Sequence, residues 1–279
     1  MEIVVLAENE TKATPHLRGE HGLSLLVLAN GRRVLFDTGA TDALVSNAKA
    51  LGLGDDLARL DAIVLSHGHY DHAGGLAAVL EIATQPAPIH VRPGFFEPRL
   101  SLRAEVPRVI GVPFERKFLE ARGGRFVEEA GSREILPGFW LTGEVPMREE
   151  TEAGEVGLML GAASDLAAPD RFADEHALAV KNGRGFAVLV GCSHRGLVNS
   201  ILAAKAAAGD GGVDIVLGGA HLRSTSSDHI DWAARRTHEL ATEVALGHCT
   251  GKNAEDRFAQ VFQDRFHRLR VGWRWQGGS

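Results

Sequence analysis

Asp61-Ala62-Ile63-Val64-Leu65-Ser66-His67-Gly68-His69-Tyr70-Asp71-His72 is the stretch that decides how this chain is read. The run Ala62-Ile63-Val64-Leu65 is short, apolar and free of charge, so it reads as a buried strand. Three imidazoles and one carboxylate then fall within the six positions from His67 to His72. The following Ala73-Gly74-Gly75-Leu76-Ala77-Ala78-Val79-Leu80 reads as a helix start. The cluster therefore lies on a strand-to-helix loop at the carboxyl end of a strand, where open α/β sheets place their sites. Burying four such side chains without partners is costly, and full exposure would leave their grouping without a reason. Neutral imidazole and carboxylate are both ligands of first-row metals, and imidazole suits zinc, iron, copper and nickel. The cluster predicts a metal site.

Outward from it, strands and helices alternate. Residues 3–7, 24–29 and 33–37 read as strands, 42–51 as a helix, 62–66 as the strand above, 73–83 as its helix and 89–91 as a short strand. The region 93–137 is rich in Arg, Glu, Pro and Gly with weak periodicity; it reads as an insertion over the site, or as a set of solvated loops. A second half follows. Segments 177–181 and 185–190 form a hairpin around the turn dipeptide Asn182-Gly183. Helices over 196–208, 228–240 and 254–266 then alternate with strands over 213–217 and 243–246, and 268–275 reads as a last strand. No repeat, low-complexity tract or linker divides residues 1–279, so one domain is expected. Mixed strands and helices in two halves fit an α/β, four-layer α-β-β-α sandwich.

The 279 residues are 44% hydrophobic and 24% charged, enough for a sizeable core and an ordinary polar surface. A net charge of −6 argues against nucleic acid or an anionic membrane as partner, and leaves room for a local basic pocket. No stretch approaches the ~20 apolar residues of a membrane span. Met1-Glu2-Ile3-Val4-Val5-Leu6 starts like a strand rather than a secretion signal, and two cysteines cannot make a disulfide scaffold, so a cytoplasmic location is expected.

His67-x-His69-x-Asp71-His72 behind an apolar strand resembles the signature of the metallo-β-lactamase superfamily. Val34-Leu35-Phe36-Asp37-Thr38-Gly39 resembles that superfamily's early strand, whose aspartate supports the ligands from behind. Val188-Leu189-Val190-Gly191-Cys192-Ser193-His194 and Val244-Ala245-Leu246-Gly247-His248-Cys249 resemble later strands that end in ligands. Together with Gly218-Gly219-Ala220-His221-Leu222 and Gly247-His248-Cys249-Thr250-Gly251, they resemble the branch of 7,8-dihydropterin-6-methyl-4-(β-D-ribofuranosyl)aminobenzene 5′-phosphate synthases. The resemblance implies the same sandwich and two divalent ions, zinc first, with manganese or iron also accepted by such donors. It implies His67, His69 and a later histidine on one ion, and Asp71, His72 and His248 on the other. Ions ~3.5–4 Å apart lower the pKa of a shared water toward about 7.

The chain departs from the superfamily in one place. Cys192 stands where most members carry an aspartate that bridges both ions, and Arg171-Phe172-Ala173-Asp174-Glu175-His176 has no Pro-Gly-His equivalent. His194 is expected to supply the missing imidazole, His176 to start the hairpin strand, and Cys192 to be a small buried residue in preference to a thiolate ligand. A single ion is the alternative. His221, at the end of a strand on the same rim, is expected to contact substrate or move a proton, the competing reading being a backbone-bonded structural histidine. Cys249 is expected to point away.

Anion binding is expected at two helix starts. Arg195-Gly196-Leu197-Val198-Asn199 offers Arg195 and Asn199, and Thr250-Gly251-Lys252-Asn253 offers Lys252, with Arg148 and Arg223 as further phosphate partners. The resulting expectation is a metal-dependent hydrolase or related transferase on a small phosphorylated substrate, pterin-related by the resemblance, with Asp71 and His221 in catalytic roles. Its alternatives are an iron-containing, oxygen- or redox-handling metalloprotein and a non-catalytic metal-binding module. Whether copies associate as a homo-oligomer is left open.

Overall fold

The strands Glu2–Ala7, Ser24–Ala29 and Arg32–Phe36 bury side chains on both of their faces. Ile3, Val5, Leu25, Val27 and Phe36 enter one apolar cluster, while Val4, Leu6, Leu26 and Leu35 enter another. A sheet with two apolar faces needs cover on both. In the computed structural model, which describes residues 1–12, 14, 16–149, 151–152, 156–162, 167–209 and 211–277, a second sheet covers one face and helices cover the other.

The first sheet has seven strands in the order Arg274–Gln276, Glu2–Ala7, Ser24–Ala29, Arg32–Phe36, Ala62–Val64, Pro88–Val91, Arg125–Glu128. The second has seven in the order Phe266–Arg268, Ala241–Leu246, Val213–Gly218, Gly185–Leu189, Leu178–Asn182, Phe139–Leu141, Arg133–Leu136. Side chains from both sheets, among them Phe36, Val64, Leu141, Leu178, Leu189 and Leu217, make the central core. Helices Ala43–Ala50 and Leu76–Ile82 close the outer face of the first sheet. Helices Leu197–Ala208, Ser227–Leu240 and Lys252–Phe262 close that of the second. The result is the four-layer α-β-β-α sandwich.

Within the first sheet Arg32–Phe36, Ala62–Val64 and Pro88–Val91 run parallel, and within the second Gly185–Leu189, Val213–Gly218 and Ala241–Leu246 do. The loops after five of these strands carry Asp37, His67 to His72, Cys192 to His194, His221 and His248. Among the described residues no helix is long and apolar enough to cross a membrane.

Three expectations change. Residues 93–137 are not one insertion: Arg125–Glu128 extends the first sheet, Arg133–Leu136 edges the second, and Arg99–Ser101 with Arg108–Val109 joins Leu158–Leu160 and Ala168–Pro169 in a third, four-stranded sheet. These are short edge strands with charged, exposed residues, which hide the two-residue period. The helix expected over 73–83 divides into Tyr70–Ala73 and Leu76–Ile82. Gly74 and Gly75 sit where a Cβ would overlap the carbonyls of Ala40 and Thr38. The strand expected over 268–275 is two strands, one in each main sheet.

Arg99 ties the third sheet to the loop of the histidine cluster. Its side chain is buried and pairs with Asp170 at 2.8 Å and Asp174 at 2.7 Å, and its Nη1 donates to Gly68 O at 3.2 Å. Asp174 in turn accepts from Gly68 N at 2.8 Å. Gly68 is confined to glycine because a Cβ would overlap Phe95 O and the Arg99 guanidinium. Removing the cation leaves buried carboxylates uncompensated, at roughly 3–5 kcal/mol. Arg99→Met should therefore lower the thermal midpoint by on the order of 10 °C, read by circular dichroism. Adding Asp170→Asn and Asp174→Asn to Arg99→Met should recover part of the loss.

Candidate metal centre

Asp37 organises the site from beneath. Its φ is +59°, a left-handed conformation that aims its carboxylate at the next strand. Oδ1 accepts from Ser66 N at 2.7 Å, and Oδ2 accepts from Ser66 Oγ at 2.8 Å and from His72 Nδ1 at 2.7 Å. A carboxylate on Nδ1 fixes the tautomer, so Nε2 of His72 is left as the ligating nitrogen. Burial opposes charge on this ring, yet Asp37 outweighs it and raises the His72 pKa to about 9. The surroundings thus favour a positive charge at His72, which a metal ion at Nε2 supplies in place of a proton.

The imidazoles of His67, His69 and His194 are kept neutral. Burial, then the neighbouring rings, pushes the pKa values of His67 and His194 well down, and burial lowers that of His69 to about 3. Neutral nitrogen is the form that binds metal. His67 Nδ1 lies 2.9 Å from Ser66 Oγ and its Nε2 lies 3.1 Å from His69 Nδ1. Nε2 of His69 is buried with no hydrogen-bond partner among the described residues. His194 stacks on Phe172, ring centres 4.0 Å apart.

Asp71 and His248 complete the cluster. Burial would raise the Asp71 carboxyl, but hydrogen bonds with His21 at 3.1 Å and His248 at 3.4 Å hold it well below the usual range. His248 has φ +55°, its N–H donates to Glu8 Oε1 at 2.6 Å, and Asn9 Nδ2 donates to its carbonyl at 2.8 Å. Nε2 atoms of His72 and His248 are 3.1 Å apart, and Cys192 Sγ is 3.2 Å from His72 Nε2. Donor atoms of His67, Cys192 and His194 fall within 4.8 Å of one another, as do those of His72, Cys192 and His248, and of His21, Asp71 and His248. An orphaned buried nitrogen among converging imidazole, thiol and carboxylate donors fits a divalent first-row ion.

The residues from 17 to 158 match the family model of the metallo-beta-lactamase superfamily, slightly more than half of the chain. The chain belongs to that superfamily. It is 29% identical to a 7,8-dihydropterin-6-methyl-4-(beta-D-ribofuranosyl)-aminobenzene-5′-phosphate synthase of Methanocaldococcus jannaschii, over 98% of this chain and 95% of that protein. Its fold matches Tm1679, a metal-dependent hydrolase of the beta-lactamase superfamily, with a TM-score of 0.83 and 30% identity across the full length of both chains. It also shares a fold with zinc-bound PqqB from Methylobacterium extorquens, at a TM-score of 0.58 and 15% identity, covering 99% of this chain and all of that one.

Measured against the superfamily pattern, the structure brings His67, His69, Asp71, His72, His194 and His248 together, with Asp37 behind them. Cys192 is buried, as expected, and its sulfur stands among the candidate donor atoms of two of the three clusters. Cys249 does not point away: its sulfur lies 3.6 Å from Cys192 O, and it lines the same cavity. His221 lines that cavity too, its ring centre 4.5 Å from that of His194. His176 precedes the strand Leu178–Asn182 and donates through Nε2 to Leu65 O at 2.9 Å.

At the Arg195 to Asn199 helix start, protein groups already fill the place expected for an anion. Glu152 accepts from Val198 N at 2.9 Å and Asn199 N at 2.7 Å, occupying the helix start, and Glu175 accepts from His194 N and Arg195 N. Gly196, at φ +97°, has no room for a Cβ beside Glu152. Asn199 is buried and spends its side chain on Arg148 N, Glu149 N and Arg195 O. Arg195 holds Val145 O, Arg171 O and Glu144. Lys252 is exposed and lines a separate groove with Glu8, Glu10 and Arg270.

The cavity over the cluster, about 280 Å³, is lined by other cations: Arg108 of the third sheet, Arg103 in the loop before it, and Arg223 after His221. Tyr70, Ile110 and Leu158 add apolar wall. His21 also lines it. No periodicity marks His21, Arg103 or Arg108, since the first two lie on irregular segments and the third on a two-residue strand; only the Glu20-His21-Gly22 turn before a strand hinted at the first.

Burial pushes the Glu152 carboxyl up to about 7, against the hydrogen bonds it accepts at the helix start. The folded state therefore holds an extra proton between pH 4.5 and about 7. Its stabilising contribution is complete below pH 4.5 and is lost as pH rises through about 7. Thermal melts across that window should show a falling midpoint, and Glu152→Gln should flatten the slope.

Proposed function

We propose that the chain is a metal-dependent hydrolase, or a related transferase, acting on a small phosphorylated substrate, with two zinc ions as its cofactor. The observation that carries the reading is one cavity with metal donors as its floor and three arginines on its wall. His67, His69 and His194 would hold one ion and Asp71, His72 and His248 the other, with Cys192 between them. When bound, such ions polarise substrate oxygen and make water acidic enough to ionise near neutral pH.

The chain's own residues supply the rest. Arg103, Arg108 and Arg223 are placed to bind the anionic group, the guanidinium being suited to phosphate geometry. Tyr70, Ile110 and Leu158 offer a surface to the apolar part of the substrate. His221, beside His194 in the cavity, is positioned to pass a proton to a leaving oxygen. Asp71, kept ionised by its histidines, orients His248 and His21. The name of the M. jannaschii relative, a synthase of a pterin-linked phosphate, supports a pterin-related substrate. One competing reading is a redox site holding iron, which the imidazole donors would also accept.

Elemental analysis of purified protein should give two zinc equivalents per chain, falling in His67→Ala, Asp71→Ala, His194→Ala and His248→Ala. Iron in that place would move the redox reading forward, and metal unaffected by all four changes would overturn the centre itself. In a phosphoester screen, Arg108→Ala and Arg223→Ala should raise KM about 10–100-fold with kcat within a few-fold, as expected for a charged hydrogen bond of roughly 1.5–3 kcal/mol.

A further inference from the structure

We infer that His21 is itself a metal ligand, forming with Asp71 and His248 a His-Asp-His face for a divalent ion. The inference rests on the metal-centre reading above and adds to it a donor from outside the His67 to His72 cluster. Nε2 of His21 is 3.1 Å from Asp71 Oδ2, and Nε2 of His248 is 3.4 Å from the same oxygen. Donors ~2.1 Å from a tetrahedral ion lie about 3.4 Å apart. The two separations to Asp71 thus stand near the spacing a shared cation requires, and all three atoms lie within 4.8 Å of one another, with one carboxylate to offset its charge.

His21 is half-exposed, its side chain 49% accessible, yet it is not on a free loop. Glu20 N donates to Glu8 O at 3.0 Å, and the Glu20 carboxylate accepts from Ala40 N at 3.0 Å and Thr41 Oγ1 at 2.5 Å. On the other side, Leu23 N donates to Asp71 O at 3.1 Å. Gly22 between them packs so closely that a Cβ would meet Asp71 O at 2.8 Å and Ala40 N at 2.9 Å. The turn is seated on the backbone of the ligand Asp71 and on Glu8, the residue that holds His248. The His21 ring then stacks on that of His248, centres 4.9 Å apart and planes 30° from parallel, which fixes its rotation. Because His21 also lines the main cavity, an ion on this face is open to substrate.

A simple hydrogen bond from His21 to Asp71 has the same resting geometry, so the test must separate donor from ligand. Glutamine keeps an N–H donor but is a poor ligand for zinc or cobalt. Metal-free full-length protein, wild type, His21→Ala, His21→Gln and Asp71→Asn, is titrated with Co²⁺ and its visible bands recorded, with zinc affinity taken by competition against a chromophoric chelator. Both His21 variants should weaken, by about tenfold or more, the same ion that Asp71→Asn weakens, and should alter its cobalt bands at saturation. The His67-dependent ion should be retained. His21→Gln matching wild type in affinity and spectrum would reduce His21 to a hydrogen-bond donor and overturn the inference alone. Failure of the wild type to bind either metal would overturn the metal centre as well.

Discussion

The buried carboxylate of Asp37 is the constraint on which the site depends. It accepts three hydrogen bonds, two from Ser66 and one from His72, and so joins the ends of two parallel strands to the first ligand helix. A carboxylate this deep needs positive charge nearby. His72 answers it, and the surplus charge favoured there is the reason the next position outward suits a cation.

Backbone strain is concentrated at the same rim. Asp37, Ser193, His221 and His248 all take positive φ without being glycine, each at the end of a parallel strand. Such residues cost on the order of 1–3 kcal/mol apiece unless packing imposes them. Here the imposing contacts are visible: Glu8 and Asn9 on His248, Glu175 on the His194 turn, and Ser193 Oγ donating to Gly219 O at 2.7 Å. The carboxylates of Glu152 and Glu175 therefore serve the scaffold. The helix start they occupy is a structural joint, and the cations of the cavity wall are Arg103, Arg108 and Arg223 instead.

Part of that wall, Arg108 and Leu158, comes from a sheet assembled from distant pieces, Arg99–Ser101, Arg108–Val109, Leu158–Leu160 and Ala168–Pro169. The sandwich fixes where ligands converge, whereas the third sheet shapes what reaches them. Superfamily membership accounts for the first and leaves the chemistry of the second to this chain's own residues.

The four-layer sandwich and most of its elements were legible in the sequence, because apolar strands and helices of ordinary length carry their period locally. The cluster of candidate donors around His67 to His72 was legible for a similar reason: those side chains are contiguous, and Asp37, His194 and His248 each follow a readable strand. Cys192 was legible as a buried residue, but its approach to His72 was not, since burial and convergence on a site look the same in one dimension. Arg195 and Asn199 were misread because a helix start announces its unpaired N–H groups but not the distant Glu152 that satisfies them. Only the tertiary structure decided that His21 meets Asp71, that Arg99 braces Gly68, and that Arg103 and Arg108 face the cavity. These contacts join residues far apart, on irregular segments or on strands of two or three residues, where no period records which side faces in. Sequence determined which donors the chain owns; folding decided which of them share a point in space.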